Sequence, residues 1–298
     1  MAGAPSAPGA QPARGAAGAR AWVARRVLCY AHQGGAREGP SSTLWAMERA
    51  LAAGADAIEL DVHTTADGHV VVCHDPTVDA TTNGHGRIGT MTLGELRALD
   101  NAYWWAPGSV VAPGRPDHEY PLRGRAPEDR SLGVATLDEV LEAFPGAIVN
   151  LDIKQRDPPY EEAVARCLRA HGRGDDVIVA SFNDASTAAF RAVAPEFATS
   201  AGTLGVAEFW RAAHAGEPLA TVPYVALQVP VQTSGVTVCD EVLVAAAHEA
   251  GVAVHVWTVD DPGEMARLIE LGVDGIITDV PSVAVDVIGG AGARWGRA

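Results

Sequence analysis

From Val27 onward, short runs rich in Val and Ile alternate with longer Ala/Leu/Glu segments of helical period, about eight times over. A strand period that keeps giving way to a helical one is the signature of parallel strands joined by crossover helices. The candidate strands are Val27–His32, Ala57–Val62, Ala147–Lys154, Asp176–Phe182, Phe197–Ala201, Tyr224–Val229, Val252–Val259 and Gly275–Asp279. Between them the periodicity predicts helices at Thr43–Ala53, Tyr160–Ala170, Asp184–Val193, Leu204–Ala215, Cys239–Ala250 and Pro262–Leu271, several closed by a glycine such as Gly54, Gly251 or Gly272. Eight such units close an α/β barrel of the (β/α)8, or TIM, type, expected here over residues 27–290.

One interval breaks the rhythm. Val62 to Pro145 is too long for a single loop and helix. Asp67-Gly68 between apolar runs predicts a hairpin whose second strand is His69–His74, and Thr136–Phe144 reads as the delayed barrel helix. A small insertion after the second strand therefore occupies about residues 75–132. Its aromatic, Gly- and Pro-rich part, Asn101 to Arg130, with Tyr103, Trp104, Trp105 and Tyr120, is expected to be an irregular cap over the barrel mouth or a surface loop with its own apolar cluster.

Composition narrows the function classes. A net charge of −15 without a Lys/Arg cluster argues against nucleic acid as a partner, and an anionic substrate must then be drawn by local positive charge. Residues 1–22, dominated by Ala, Gly and Pro, lack the apolar core of a signal peptide and are expected to be a disordered tail. No run of about 18 uncharged apolar residues occurs, so no stable membrane insertion and a cytoplasmic location are expected. The four cysteines, Cys29, Cys73, Cys167 and Cys239, form no C-x-x-C pair and read as reduced thiols.

Charged residues on buried strands carry the chemistry. Residues two apart in a strand share a face, so Glu59, Asp61 and His63 point one way and Leu60 and Val62 the other. Asn150, Asp152 and Lys154 repeat the pattern on the next barrel strand. Such a face is expected at the catalytic mouth of this fold. Glu59, Asp61 and Asp152 together make an oxygen-only cage suited to Ca2+ or Mg2+, with a salt-bridge network as the plain alternative. His32 and His74 end apolar strands just before tight turns, where they suit general acid and base work near neutral pH. His85, His118, His171, His214 and His248 fall in loops or on helix faces, where exposure is the default.

The ordered motifs resemble those of the glycerophosphodiester phosphodiesterase family, a group of phospholipase C-like phosphodiesterase barrels. The matches are Ala31-His-x-Gly34, Glu59-Leu-Asp-Val62, Thr65-x-Asp-Gly68, Val72-x-His-Asp-Pro76, Thr81-Thr-Asn-Gly84 and Thr92-Leu-x-Glu-Leu96. They continue with Leu151-Asp-Ile-Lys154, Ser181-Phe182, Val256-Trp-Thr-Val259 and Gly272-Val-Asp-Gly-Ile-Ile-Thr-Asp-x-Pro281. The resemblance implies catalytic histidines at His32 and His74, a divalent metal on Glu59, Asp61 and Asp152, a phosphate contact at Lys154 and an aromatic near the substrate at Trp257. Trp257 reads equally well as plain core. The implied reaction converts a small-molecule glycerophosphodiester to glycerol 3-phosphate and an alcohol, through a cyclic phosphate if the neighbouring glycerol hydroxyl is the nucleophile.

Three departures stand out: Gln33 where the family has Arg, Ser41-Ser-Thr43 where it has Glu-Asn-Thr, and Asp152 where it has Glu. A neutral Gln cannot reproduce the fixed charge and planar fork that an Arg offers phosphate, although Gln33 can still assist in holding it. Two other readings stay open: a phospholipase D-like enzyme that forms a cyclic phosphate from a lysolipid or sphingolipid, and an inactive phosphate-binding barrel. Which histidine is acid and which base, the metal, the head group and the oligomeric state are not fixed by the sequence.

Overall fold

The computed structural model describes residues 22–23 and 26–293. Eight parallel strands form the barrel: β1 (Leu28–Ala31), β2 (Ala57–Thr64), β4 (Ile148–Ile153), β5 (Val177–Ala180), β6 (Ala198–Thr199), β7 (Ala226–Pro230), β10 (Ala253–Trp257) and β11 (Gly275–Thr278). They pair in the order β6-β5-β4-β2-β1-β11-β10-β7. A parallel bridge between Ser200 and Ala226 joins the two ends of that series and closes the ring. The short β3 (Val70–Val72) pairs antiparallel with β2, as the Asp67-Gly68 turn predicts.

The described α-helices are α1 (Leu44–Ala53), α2 (Leu93–Arg97), α3 (Leu137–Ala143), α4 (Glu161–Ala170), α5 (Asp184–Val193), α6 (Thr203–Ala215), α7 (Glu241–Glu249), α8 (Pro262–Leu271) and α9 (Pro281–Gly290), and the two-residue strands β8 (Gln232–Thr233) and β9 (Val236–Thr237) form a separate hairpin. Side-chain caps set the starts of many of them. Thr92 and Thr136 make reciprocal capping boxes with Glu95 and Glu139, and Asp261 caps α8 ahead of Pro262. The helices over Asp184–Val193 and Pro262–Leu271 begin where the periodic pattern does, and the other expected helices begin within two residues of it, Thr43 and Tyr160 standing at the N-cap positions of α1 and α4. The α9 helix escaped the sequence reading: its apolar residues pack on a barrel that already looked complete.

Strand alternation separates two layers of core. Cys29, Ala31, Leu60, Val62, Leu151 and Val254 point outward to the helices, whereas Leu28, Tyr30, Ala57, Ile148, Ile178, Ala226 and Ala253 fill the barrel floor. Space is tight there. A Cβ on Gly275 would lie 2.8 Å from the rings of both Tyr30 and His255, so only glycine lets β11 pass these side chains. Residues 1–21 of the expected tail lie outside the described residues. Trp22, its last residue, is instead buried and packs on the same floor, where a large aromatic gains more by filling the barrel end than by staying in water.

The insertion does not roof the barrel mouth. Trp105 Nε1 donates to the Ala36 carbonyl at 3.1 Å, Asn101 Nδ2 to that of Ser41 at 3.3 Å, and the tilted rings of Trp45 and Trp105 meet with their centres 6.2 Å apart. These contacts hold the insertion against the loop after β1, while Arg123 lies over the rings of Tyr103, Trp104 and Tyr120. The four cysteines are free thiols. No helix among the described residues is long and apolar enough to cross a membrane.

Candidate active site

Above the apolar floor the inward positions turn polar. In-register pairing sets Glu59 beside Asn150 and Asp61 beside Asp152. Their side chains, with His32, His74, Lys154, Phe182, Gln228 and Trp257, line a cavity of about 210 Å3 at the C-terminal end of the barrel. The sequence reading and the fold therefore converge on one place, the face where such barrels build their sites. No residue of 101–130 lines this cavity.

Both expected histidines reach it, each with a carboxylate on one ring nitrogen. His32 Nδ1 lies 2.6 Å from Asp279 Oδ1, and its Nε2 is 4.0 Å from Glu59 Oε2. Burial opposes charge on this ring, but the Asp279 hydrogen bond and the fields of Glu59, Asp279 and Asp61 outweigh it and raise its pKa to about 9. His74 Nδ1 lies 2.8 Å from Asp75 Oδ1 and its ring is half exposed. His63, which shares the face of Glu59 and Asp61, does not line the cavity. Its Nε2 donates to the His74 carbonyl at 3.1 Å and so steadies the turn that carries His74.

The carboxylates stand in a strained electrostatic setting. Burial, followed by the charge of Glu59, lifts the Asp61 pKa to about 7, and burial raises that of Glu59 as well. His32 opposes the rise at Glu59, and Lys154 is the main compensation at Asp61: its Nζ sits 2.9 Å from Asp61 Oδ1 and 2.8 Å from Asp152 Oδ2. These two carboxylates outweigh the burial of the ammonium and hold its pKa above the usual lysine range. Asp61 Oδ2 and Asp152 Oδ1 are buried and have no hydrogen-bond partner among the described residues. Buried acceptors without a donor are costly, and hard oxygen atoms of this kind fit a divalent cation. Among the described residues no three His, Cys, Asp or Glu side chains are gathered into a ready-made metal cage. The donor chemistry fits an ion, while the present arrangement gives part of its place to Lys154.

Gln33 is held differently from the cavity-lining residues. Its φ of 50° is in the left-handed region, uncommon outside glycine, and this turn lets its backbone N–H donate to Glu59 Oε2 at 3.0 Å. Its side-chain Nε2 lies 3.4 Å from His32 Nε2, and Gln33 is not part of the cavity wall. Trp257 does line the cavity and meets Phe182 edge to face at 5.4 Å between ring centres.

Sequence reasoning missed Asp279, Asp75, Phe182 and Gln228 as site residues, and placed Asn150 on the inward face without giving it a role. Asp279 ends the last motif quoted above and Asp75 follows His74 directly, so both signals were present. Gln228 gave none: its amide reaches across the barrel to donate to Asn150 Oδ1 at 2.6 Å, a pairing of residues 78 apart.

Comparison with known proteins agrees with this geometry. Residues 32–283 match the model of the glycerophosphoryl diester phosphodiesterase family. A glycerophosphodiester phosphodiesterase of Caldanaerobacter subterraneus subsp. tengcongensis is 33% identical over 271 residues, covering 88% of this chain and 98% of that protein. One from Bacillus altitudinis is 30% identical, covering 87% and 96%. Among solved structures, a putative glycerophosphoryl diester phosphodiesterase from Silicibacter pomeroyi superposes with a TM-score of 0.72 at 25% identity, covering 94% of this chain and 99% of that one. An Oleispira antarctica phosphodiesterase, solved with the product sn-glycerol-3-phosphate, shares the fold with a TM-score of 0.69 at 23% identity, covering 89% and 97%. By motif order, barrel architecture and a match over most of its length, the chain belongs to the glycerophosphoryl diester phosphodiesterase family.

Proposed function

We propose that this enzyme hydrolyses glycerophosphodiesters to sn-glycerol 3-phosphate and an alcohol by general acid and base catalysis with two histidines. The observation that carries this reading is the pair of rings, His32 and His74, each backed by a carboxylate on Nδ1, on one cavity with Lys154. A carboxylate on Nδ1 fixes the tautomer and leaves Nε2 for the substrate. Lys154 supplies positive charge for the phosphate oxygens. His74, the more exposed ring, takes the proton of the nucleophile. His32, whose imidazolium is stabilised by Asp279, returns one to the leaving alcohol. Gln33, next to His32 Nε2, assists in orienting the phosphate.

Glu59, Asp61 and Asp152 would hold a divalent ion, Ca2+ or Mg2+, which when bound supplies Lewis-acid withdrawal of charge from the phosphate. The unpartnered oxygens of Asp61 and Asp152 and the raised pKa values of Glu59 and Asp61 support that role. The test is release of glycerol 3-phosphate from glycerophosphocholine and glycerophosphoethanolamine by the purified protein, with Ca2+, Mg2+ or chelator. Metal-dependent release is expected. No release with any head group or metal would reject the reading and point to a barrel that binds phosphate without turnover.

A further inference from the structure

Strands β1 and β11 run side by side with Ala31 opposite Thr278, so the next residues, His32 and Asp279, leave the ladder together. Past that last pair the ladder no longer sets the backbone of Asp279, and other contacts take over. Asp260, the third residue after β10, accepts the Asp279 backbone N–H and the buried Thr278 hydroxyl on Oδ1, at 2.9 and 3.0 Å. On the other side, the Asp279 carbonyl accepts the Arg37 backbone N–H at 3.1 Å. The peptide groups before and after Asp279 are thus both held, and its short side chain reaches His32 Nδ1 from a fixed backbone.

Asp260 is in turn aimed by the insertion. Its Oδ2 accepts from Arg37 Nη1 at 3.3 Å, and Arg37 exchanges two hydrogen bonds with Gly108. Arg37 Nε donates to the Gly108 carbonyl at 3.1 Å, and the Gly108 N–H donates to the Arg37 carbonyl at 2.9 Å. None of Asp260, Arg37 and Gly108 lines the cavity, so none of them holds substrate directly. Nor is stability a sufficient account, because ion pairs as exposed as Arg37 and Asp260 contribute little to it. What the network does fix is the carboxylate behind a reacting ring.

Resting on the reading of His32 as the general acid, we infer that Asp260 is a positioning residue for His32, acting through Asp279, and that the insertion serves catalysis through Arg37 and Asp260 rather than by covering substrate. A reacting group works only within about 0.5 Å of its productive place, and a displacement of about 1 Å can cost 10²-fold in rate. Without Asp260 the Asp279 N–H and the Thr278 hydroxyl lose their acceptor, Asp279 shifts, and the His32 ring loses its aim. Substrate binding at Lys154 is untouched, so the effect falls on kcat and not on KM. Asp260→Asn keeps an oxygen for Asp279 and Thr278 while giving up the charge that meets Arg37, and it should recover most of the rate.

The experiment is a mutant cycle in steady-state kinetics, with glycerophosphocholine and with the p-nitrophenyl diester of glycerol phosphate as substrates. Asp260→Ala should lower kcat about 10- to 10²-fold with the choline leaving group, at nearly constant KM, and much less with p-nitrophenol, as His32→Ala does. In an Asp279→Asn background the same substitution should add almost nothing, because residues that act as a unit are not additive. Arg37→Met, at an exposed position where the fold is kept, should repeat both patterns with a smaller loss and covers the case in which Asp260→Ala does not fold. Losses that multiply in the double variant, or that fall equally on both leaving groups while His32→Ala discriminates between them, would reduce Asp260 to a structural residue and overturn the inference. An Arg37→Met enzyme with wild-type kcat would cut the insertion out of it. If His32→Ala itself fails to discriminate, the acid assignment falls, and the cycle of Asp260 with Asp279 still decides whether the two act together.

Discussion

Asp279 and His32, separated by 247 residues in sequence, meet at 2.6 Å between Oδ1 and Nδ1, and the contact is braced from behind. The backbone N–H of Asp279 and the hydroxyl of Thr278 both donate to Asp260 Oδ1, at 2.9 and 3.0 Å. Asp260 Oδ2 pairs with Arg37 at 3.3 Å, and Arg37 Nε donates to the Gly108 carbonyl in the insertion. The insertion is thus tied to the carboxylate that aims the ring, although it does not wall the cavity.

A carboxylate that only fills space could be replaced by its amide with little effect. One that fixes the His32 tautomer and stabilises the imidazolium could not. Asp279→Asn is therefore expected to lower kcat on the order of 10²-fold or more. Steady-state kinetics with glycerophosphocholine checks this, and an unchanged kcat would remove Asp279 from the catalytic apparatus.

If His32 protonates the leaving alcohol, its loss should matter least where the leaving group needs no proton. His32→Ala is expected to cost about 10²- to 10⁴-fold in kcat with a choline leaving group, and much less with p-nitrophenol. His74→Ala should be equally damaging with both. Equal losses in His32→Ala for the two leaving groups would reverse or dissolve the assignment.

Most of the barrel and much of the site were legible in the sequence because their signals are local. Alternation on β2 and β4 placed Glu59, Asp61, Asp152 and Lys154 on one inward face, and pairing in register then brought Asp61 beside Asp152. Long-range partners were not legible. Asn150 and Gln228 meet only because the ring closes, and nothing near Gln228 marks it as a cavity residue. Which of the two places open to the insertion it would take was not legible for a related reason. Its aromatic content announced a packed cluster, but which face that cluster would cover depended on Trp105 finding the Ala36 carbonyl and Trp45. Trp22 was assigned to the tail because a single aromatic after an Ala/Gly/Pro-rich stretch has no periodicity of its own.

Lys154 bridges Asp61 and Asp152 with its side chain only 19% exposed. Removing one member of a buried ion pair leaves uncompensated charge, at a cost of about 3–5 kcal/mol, and Lys154→Met leaves two carboxylates in that state. A divalent ion that binds only the folded protein offsets this by about 2.7 kcal/mol at a hundredfold excess over Kd. Thermal denaturation should show a lower Tm for Lys154→Met, with Ca2+ or Mg2+ recovering part of the loss. A Tm insensitive to metal in both proteins would count against a cation site on Glu59, Asp61 and Asp152.

Far from the mouth, His248 on α7 places Nε2 2.9 Å from Asp274 Oδ2, an oxygen that also accepts from the Val254 backbone N–H at 2.8 Å. The Asp274 hydrogen bond, outweighing burial, raises the His248 pKa above its usual value near 6.5. A raised folded pKa means that protonated His248 contributes stability fully below about pH 6.5, and that the contribution is lost as pH climbs through the folded value. The melting temperature of the wild type should therefore exceed that of His248→Asn most at mildly acidic pH, and the gap should narrow steadily toward alkaline pH. Comparison with the variant subtracts every other titrating group, including His214 beside Asp240, whose pKa is raised in the same direction. A gap that widens with pH would mean that the neutral ring is the form the fold prefers, and that the Asp274 contact acts as an ordinary hydrogen bond rather than an ion pair.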